Sequence, residues 1–331
     1  MKIGIIPDIH GNSTWQENVK KMVDCDKIVF LGDYVDSFNE NERGLKAAEN
    51  LKKIFQFARE NKDKVDLLIG NHDLENYWLR CNKCSGFQPL VYETYHSIFE
   101  ENKDLIKLAV KYDDWVFSHA GFTKTWVECT ISRFKFRFGE DTDFELLSND
   151  PVGMSNKMLQ EKISFPFEYS ESDFSCYGES VKQGPLWVRP TSLMKEPFYE
   201  KQVIGHTESR SGSPIFLKNN KMELVLADTS SHATYIIFDT KNPPEFLTPE
   251  EAAKKQRKEE KDIQRQKSVY GQKAKELRDK YNISKKDFQW FEFQAGIAKR
   301  ACEEHNDNSF DWWTHLEDLC KSKAEETSKN E

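Results

Sequence analysis

The stretch Lys2-Ile3-Gly4-Ile5-Ile6-Pro7-Asp8-Ile9-His10-Gly11-Asn12 sets the reading of this chain. A short apolar run predicts a buried strand, and the run ends on two side chains with metal-ligand chemistry, Asp8 and His10. The same phrase recurs downstream. Residues 27–31 lead to Gly32-Asp33-Tyr34-Val35-Asp36, and residues 65–69 lead to Gly70-Asn71-His72-Asp73. Residues 114–117 lead to Ser118-His119-Ala120-Gly121, and residues 201–204 to Gly205-His206-Thr207. Each loop follows an apolar run, so the five loops are expected to converge on one edge of an α/β sheet.

The intervening segments fit that picture. Ser13 or Thr14 can cap a helix running to about residue 23, and residues 43–61 carry Leu45, Ala48, Leu51, Ile54, Phe55 and Ala58 on one helical face. A helical region is expected over residues 74–101, broken near 81–89. Residues 122–180 have weak periodicity and read as a partly helical insertion over the site. Within it, Arg133, Lys135 and Arg137 alternate with Phe134, Phe136 and Phe138 like an amphipathic strand. That strand reads as a solvated face over a Phe core, or as positive charge offered to an anionic substrate. Strands are predicted at 214–217, 222–226 and 234–238, all antiparallel, with 218–221 as the hairpin turn between the first two.

The composition changes at Pro243-Pro244. Domains are therefore expected at 1–242 and 243–331, the second charged and helical. Thr248-Pro249-Glu250-Glu251 combines a Thr cap, a Pro at the first helical position and an acid three residues on. Helices are predicted from there to Tyr281, from Ser284 and from Ser309, with contact to a protein partner or second subunit as their expected role.

The bulk properties narrow the function classes. A net charge of −8 argues against general affinity for nucleic-acid backbone. Seven Cys in 331 residues do not form a secreted disulfide framework, and no apolar stretch is long enough for a membrane span. The expected compartment is the cytoplasm. Cys81-x-x-Cys84 has no second pair at zinc spacing, which leaves a structural zinc the lesser reading. His96 reads as structural, His232 as either structural or site-lining, and Trp312-Trp313 as a helix-packing anchor.

Asp8, His10, Asp33, Asn71, His119 and His206 form a mixed oxygen and imidazole set. Such a set suits Mn²⁺, Fe²⁺ or Zn²⁺ better than Ca²⁺ or Mg²⁺. Two ions about 3.5–4 Å apart need a shared ligand, and Asp33 is central among the loops. A water bridged between the ions can lose a proton and attack phosphorus in line. His72 is the candidate acid for the leaving oxygen, with Asp73 or Asp36 raising its basicity.

These motifs resemble the calcineurin-like metallophosphoesterase superfamily across residues 3–238: Asp-x-His, Gly-Asp-x-x-Asp, Gly-Asn-His-Asp, a His loop and Gly-His. Gly32-Asp33-Tyr34-Val35-Asp36, Trp187-x-Arg189 and Gly205-His206-Thr207 are similar to the phosphoprotein-phosphatase branch, which includes symmetrical dinucleoside tetraphosphatases. Asp228-Thr229 also fits. The resemblance implies a two-sheet α/β sandwich, two divalent metal ions, a phosphorylated protein or nucleotide as substrate, and Arg189 as a phosphate-binding residue. Ser37 and Phe38 stand where that branch has Arg-Gly, Ile69 where several members have Arg, and Asp73 where it has Glu. Three readings follow. They are a phosphatase of that branch, a phosphodiesterase or pyrophosphohydrolase acting on nucleotides, and an inactive scaffold for protein interaction.

Overall fold

The computed structural model describes residues 1–78, 84–139, 148–167, 180–209, 212–229, 235–304 and 311–329. Ten strands form two five-stranded sheets. The first sheet holds β1 (Lys2–Ile6), β2 (Lys27–Phe30), β3 (Val65–Leu68), β4 (Ile106–Lys107) and β10 (Ile236–Asp239), in the order β10-β1-β2-β3-β4. The second holds β5 (Ala109–Tyr112), β6 (Trp115–Ser118), β7 (Lys201–Ile204), β8 (Ile215–Lys218) and β9 (Glu223–Leu226), in the order β5-β6-β7-β9-β8. Strands β1 to β4 are parallel, and so are β6, β7 and β9. This is the two-sheet α/β sandwich that the motif resemblance implies.

The apolar runs are continuous because the strands are buried on both faces. Ile3, Ile5, Val29, Leu31 and Leu68 meet Val110, Trp115, Phe117, Val203 and Val225 between the sheets. The alternate residues Ile6, Ile28, Phe30 and Leu67 pack outward against α2 (Leu45–Glu60) and α4 (Tyr92–Glu101), through Leu51, Ile54, Phe55, Tyr95 and Phe99. On the far side of the second sheet, Ile204, Leu224 and Leu226 meet Val188 and Leu193.

Several expected elements differ from those observed. The first helix, α1, is short, Trp15–Lys20. Helix α3 (Asn71–Trp78) opens three residues earlier than expected, on the motif itself. Strands β4 and β5 carry no sequence signal, because two and four residues are too few to show a period. The late strands are not all antiparallel: β8 pairs antiparallel with β9, and β10 with β1, but β9 lies parallel to β7. The 218–221 turn forms as expected, with the Asn219 amide donating to the Met222 carbonyl at 3.0 Å.

The amphipathic strand expected at 133–138 is instead the end of a helix, α5 (Lys124–Phe138). Thr123 caps it, accepting from the Trp126 amide at 3.1 Å, and Gly139 ends it at φ 85°. Trp126, Val127, Thr130 and Phe134 are its buried face, while Phe136 stands 95% exposed. The insertion also contains α6 (Pro151–Gln160), and α7 (Pro190–Leu193) follows the turn at residues 184–187.

The chain divides into two compact units, Met1–Ala253 and Lys254–Glu331. Helix α8 (Pro249–Tyr281) begins with the expected capping box: Thr248 Oγ1 accepts from the Glu251 amide at 3.3 Å, and the Glu251 carboxylate accepts from the Thr248 amide at 2.8 Å. In the second unit, α9 (Lys285–Glu304) and α10 (Trp312–Lys329) bury Phe288, Phe291, Ala295, Leu316 and Cys320, with Leu277, Tyr281, Trp312 and Trp313 packed around them. Ser309, the expected cap of α10, lies outside the described residues. Asp311 caps that helix, accepting from the Thr314 amide at 2.7 Å. No helix among the described residues is long and apolar enough to cross a membrane.

Trp115 anchors the layer between the sheets. Its ring meets Phe238 edge-on at 4.8 Å and stacks on Phe246 at 5.8 Å. Trp115→Ala is expected to cost about 3–5 kcal/mol, seen as a lower urea midpoint at unchanged slope.

Candidate metal centre

Both sheets present their parallel C-terminal strand ends to one place. β1 delivers Asp8 and His10, β2 delivers Asp33 and Asp36, and β3 delivers Asn71, His72 and Asp73. From the second sheet come His119 after β6, His206 after β7 and Asp228 after β9. The chain turns sharply at each end. His10, Asp33, Asp36 and His206 adopt φ of 44°, 51°, 59° and 59°, four of the seven left-handed non-glycine residues among those described. Each such residue costs about 1–2 kcal/mol, so backbone strain is concentrated where the donors gather. Two glycines leave room for carboxylates. A Cβ on Gly70 would sit 2.1 Å from Asp33 Oδ1, and one on Gly205 would sit 2.1 Å from Asp8 Oδ1.

Asp33 is the centre of the arrangement. Its Oδ1 accepts the His72 amide at 3.0 Å. Its Oδ2 lies 3.6 Å from His10 Nε2 and 3.4 Å from His119 Nε2. Ligand atoms of His10, Asp33 and His72 fall within 4.8 Å of one another, and so do those of Asp33, His119 and His206. Asp33 alone belongs to both groups. Asp8 closes the two sheets together, accepting the His206 amide at 3.1 Å.

Backbone carbonyls fix the imidazole tautomers, because a carbonyl can only accept. His10 Nδ1–H donates to the Val35 carbonyl at 3.0 Å, and His119 Nδ1–H to the Leu31 carbonyl at 2.9 Å. His206 Nε2–H donates to the Trp187 carbonyl at 3.1 Å. Burial pushes all three imidazoles below the usual histidine range, with His119 and Arg189 adding to the effect at His206. They are neutral, and the nitrogen turned inward carries a lone pair.

Those lone pairs face oxygen atoms. His119 Nε2 lies 2.8 Å and His206 Nδ1 3.0 Å from Asn71 Oδ1. The contacts of His10 and His119 with Asp33 Oδ2 are likewise acceptor against acceptor. Around them Asp8, Asp33, Asp36, Asp73 and Asp228 are all buried. Burial lifts Asp8 well above the carboxylate range, and Asp228 and Asp33 add to the rise. Opposed lone pairs and crowded carboxylates are what divalent cations relieve. The residues present therefore fit two ions. His10 and Asp33 lie in one donor group and Asp33, His119 and His206 in the other, and each of these three imidazoles is oriented by a carbonyl behind it.

His72 differs from the other three imidazoles. Its Nδ1 pairs with Asp36 Oδ2 at 3.1 Å, and Asn76 Nδ2 reaches both Asp36 oxygens at 3.4 Å. Burial alone would depress it, but Asp33, Asp36 and Asp73 raise its pKa to about 9. Among the four imidazoles it is the one whose surroundings favour the protonated form, the form that can give a proton away. Of the two acids expected beside it, Asp36 makes the contact. Asp73 instead accepts the Tyr34 amide at 2.7 Å and the Gly70 amide at 2.9 Å, fastening the β2 loop to the β3 loop. Burial and Asp33 raise its pKa to about 8.

Arg189 Nη1 donates to the His206 carbonyl at 2.7 Å and to Thr207 Oγ1 at 3.1 Å, which holds its guanidinium beside the cluster. Some participants were not read as such from sequence. Asn76 carries no motif signal. Cys84 is buried with its Sγ 3.3 Å from Asn71 Nδ2, and its amide donates to Glu75. Asp228 is legible through the motif resemblance, as Asp228-Thr229, but not as a member of the carboxylate cluster. Cys81 and His232 lie outside the described residues. His96 Nδ1 donates to the Tyr77 carbonyl at 2.9 Å, a structural contact.

Gly70→Ala tests how tightly Asp33 is held. The added methyl should destabilise the fold by about 1–3 kcal/mol and weaken Mn²⁺ binding about 10- to 100-fold. Thermal unfolding and titration calorimetry read the two effects separately.

Among solved structures the chain resembles several hydrolases at low identity. A cold-active protein-tyrosine phosphatase of a psychrophilic Shewanella species is 16% identical with a TM-score of 0.42, over 72% of this chain and 75% of that one. A protein serine/threonine phosphatase from Saccharomyces cerevisiae is 17% identical with a TM-score of 0.37, over 69% and 67%. A phosphopantetheinyl hydrolase from Mycobacterium tuberculosis is 12% identical with a TM-score of 0.32, over 74% and 98%. No curated protein matches the sequence. The family model for calcineurin-like phosphoesterases matches residues 1–227. With that match spanning both sheets' strand ends from Asp8 to His206, the chain belongs to the calcineurin-like phosphoesterase family and is a metal-dependent hydrolase of phosphate esters.

Proposed function

We propose that the protein is a phosphomonoesterase of the phosphoprotein-phosphatase type, with Asp33 shared between two divalent ions, Mn²⁺ being the first candidate. The observation that carries this reading is the sorting of the four imidazoles. Three rest one ring nitrogen on a backbone carbonyl and turn the other to Asp33 or Asn71, and the fourth, His72, is tied to the Asp36 carboxylate. When bound, the ions would supply Lewis acidity, easing deprotonation of a water and offsetting charge on the phosphoryl oxygens.

The chain's own groups do the rest. Asp33 and Asp8 keep their carboxylates within the cluster because the His72 and His206 amides hold them. Arg189, fixed by the His206 carbonyl, places a cation beside Asp8 and Asp33. That charge suits the second negative charge of a monoester, which a diester lacks. His72 protonates the departing oxygen, and Asp36 steadies the imidazolium before the transfer. Asn76, bound to both Asp36 and the His72 carbonyl at 3.0 Å, keeps the pair aligned.

Three results are expected. Dialysis against a chelator abolishes hydrolysis of p-nitrophenyl phosphate, and Mn²⁺ restores it. The bis ester is a poorer substrate than the monoester; a faster bis ester would replace this reading with a nucleotide diesterase or pyrophosphohydrolase. His72→Ala lowers kcat by about 100- to 10,000-fold, and more for phenyl phosphate than for p-nitrophenyl phosphate, whose leaving group needs less help from an acid.

His72 also falls within ligand distance of His10 and Asp33. Metal analysis separates the two roles. His72→Ala should keep its bound metal, whereas Asp33→Asn should lose it. Loss of metal from the His72 variant would make His72 a ligand rather than the acid.

A further inference from the structure

One large apolar side chain stands open to solvent against the metal cluster. Phe38 is 64% exposed, and its ring centroid lies 5.8 Å from that of His10, tilted by 57°. His10 in turn meets His72 edge-on at 4.9 Å. A row of rings therefore runs from solvent through a candidate ligand to the candidate acid. Scattered exposed apolar residues are ordinary on protein surfaces. Leu90 and Phe136 are more exposed than Phe38. Phe38, unlike these, has its ring against a histidine of the cluster.

The backbone around Phe38 is fastened on both sides. Asp36 turns the chain at φ 59°. Ser37 is buried, and its Oγ accepts the Asn39 amide at 3.2 Å. The Ser37 carbonyl accepts from Gln88 Nε2 at 3.5 Å, and Gln88 Oε1 accepts the Gly44 amide at 2.6 Å. Gly86, at φ 83°, lies beneath the ring. A Cβ there would come 3.1 Å from Phe38 Cε1 and 3.0 Å from the Asp36 carbonyl. The ring is thus backed by a glycine that leaves it space and bordered by His10, while most of its surface faces water.

We propose that Phe38 is a specificity-determining residue that stacks on a flat ring in the substrate, so that the site favours aryl or nucleoside phosphates over alkyl phosphates. A planar group attached near the phosphorus can lie against Phe38 while its phosphoryl group occupies the cluster beyond His10. An offset aromatic pair of this kind favours the ringed ligand by about 3- to 10-fold. The selection acts on the ring alone, so aryl phosphates and nucleotides share it. Separate arms of the test tell them apart. The proposal rests on the phosphomonoesterase reading, and a binding measurement keeps the two independent.

The Mn²⁺-loaded full chain is titrated calorimetrically with phenylphosphonate and with propylphosphonate, neither of which can be hydrolysed. The wild type should bind the phenyl compound more tightly. Phe38→Leu should lower the phenyl-to-propyl ratio about 3- to 10-fold, and Phe38→Trp should keep it. In turnover, the ratios of kcat/KM for phenyl phosphate and for a nucleoside 5′-monophosphate, each against glycerol phosphate, should fall likewise in Phe38→Leu. The larger fall identifies the better-fitting class. Equal binding of the two phosphonates by the wild type, or the same ratio in Phe38→Leu, would overturn the role of Phe38. Absence of turnover on every ester would count against the phosphomonoesterase reading instead, while the phosphonate ratio still decides the stacking.

Discussion

The Asp33 carboxylate is the contact on which the rest of the site depends. One oxygen accepts the amide of His72, in the first turn of α3, and the other faces the inward nitrogens of His10 and His119. Those partners come from three strand ends in two different sheets, so the carboxylate is also a joint between them. Its position is made possible by absence: any side chain on Gly70 would enter its space. A single left-handed residue between two close backbones is how the chain brings one charge to the middle of so many donors.

The neutralisation problem follows directly. Five buried aspartates would repel one another strongly in a low-dielectric interior, and neutral imidazoles cannot offset them. The carbonyls behind His10, His119 and His206 commit those rings to the neutral tautomer that presents a lone pair. The carbonyls of Val35, Leu31 and Trp187 thereby decide which ring nitrogens are left to face the cluster. His72 escapes this because a carboxylate, Asp36, sits where the others have a carbonyl. Asp33, with Asp36 behind the ring, favours the protonated form of His72, whereas burial disfavours it in the other three.

Much of this was legible in the sequence, for a physical reason. A strand buried on both faces must be an unbroken apolar run, and a polar residue at its end can only be a turn or a functional group. The five loops were visible on those grounds, as was the capping box at Thr248. What failed were segments whose pattern is carried by neighbours. Residues 133–138 alternate charge and Phe, but only Phe134 of the three aromatics is buried, and the helix is set by Trp126, Val127 and Thr130 earlier in the segment. Strands β4 and β5 exist because β3 and β6 offer them edges. The direction of β9 is fixed by β7, which no local signal encodes. The pairing of Asp36 rather than Asp73 with His72 is likewise invisible locally, since both acids lie near it in the motif.

The order of the first sheet carries a consequence for how the protein is made. β1, at residues 2–6, has β10, at residues 236–239, as one of its two neighbours, and Asp228 precedes that strand by a few residues. A ribosome must therefore release almost the whole of the first unit before β1 gains its second partner. Until then its apolar edge is open and needs shielding, and the clustered aspartates lack their full surroundings. A chain ended before residue 236 would leave β1 with β2 as its one partner in the sheet.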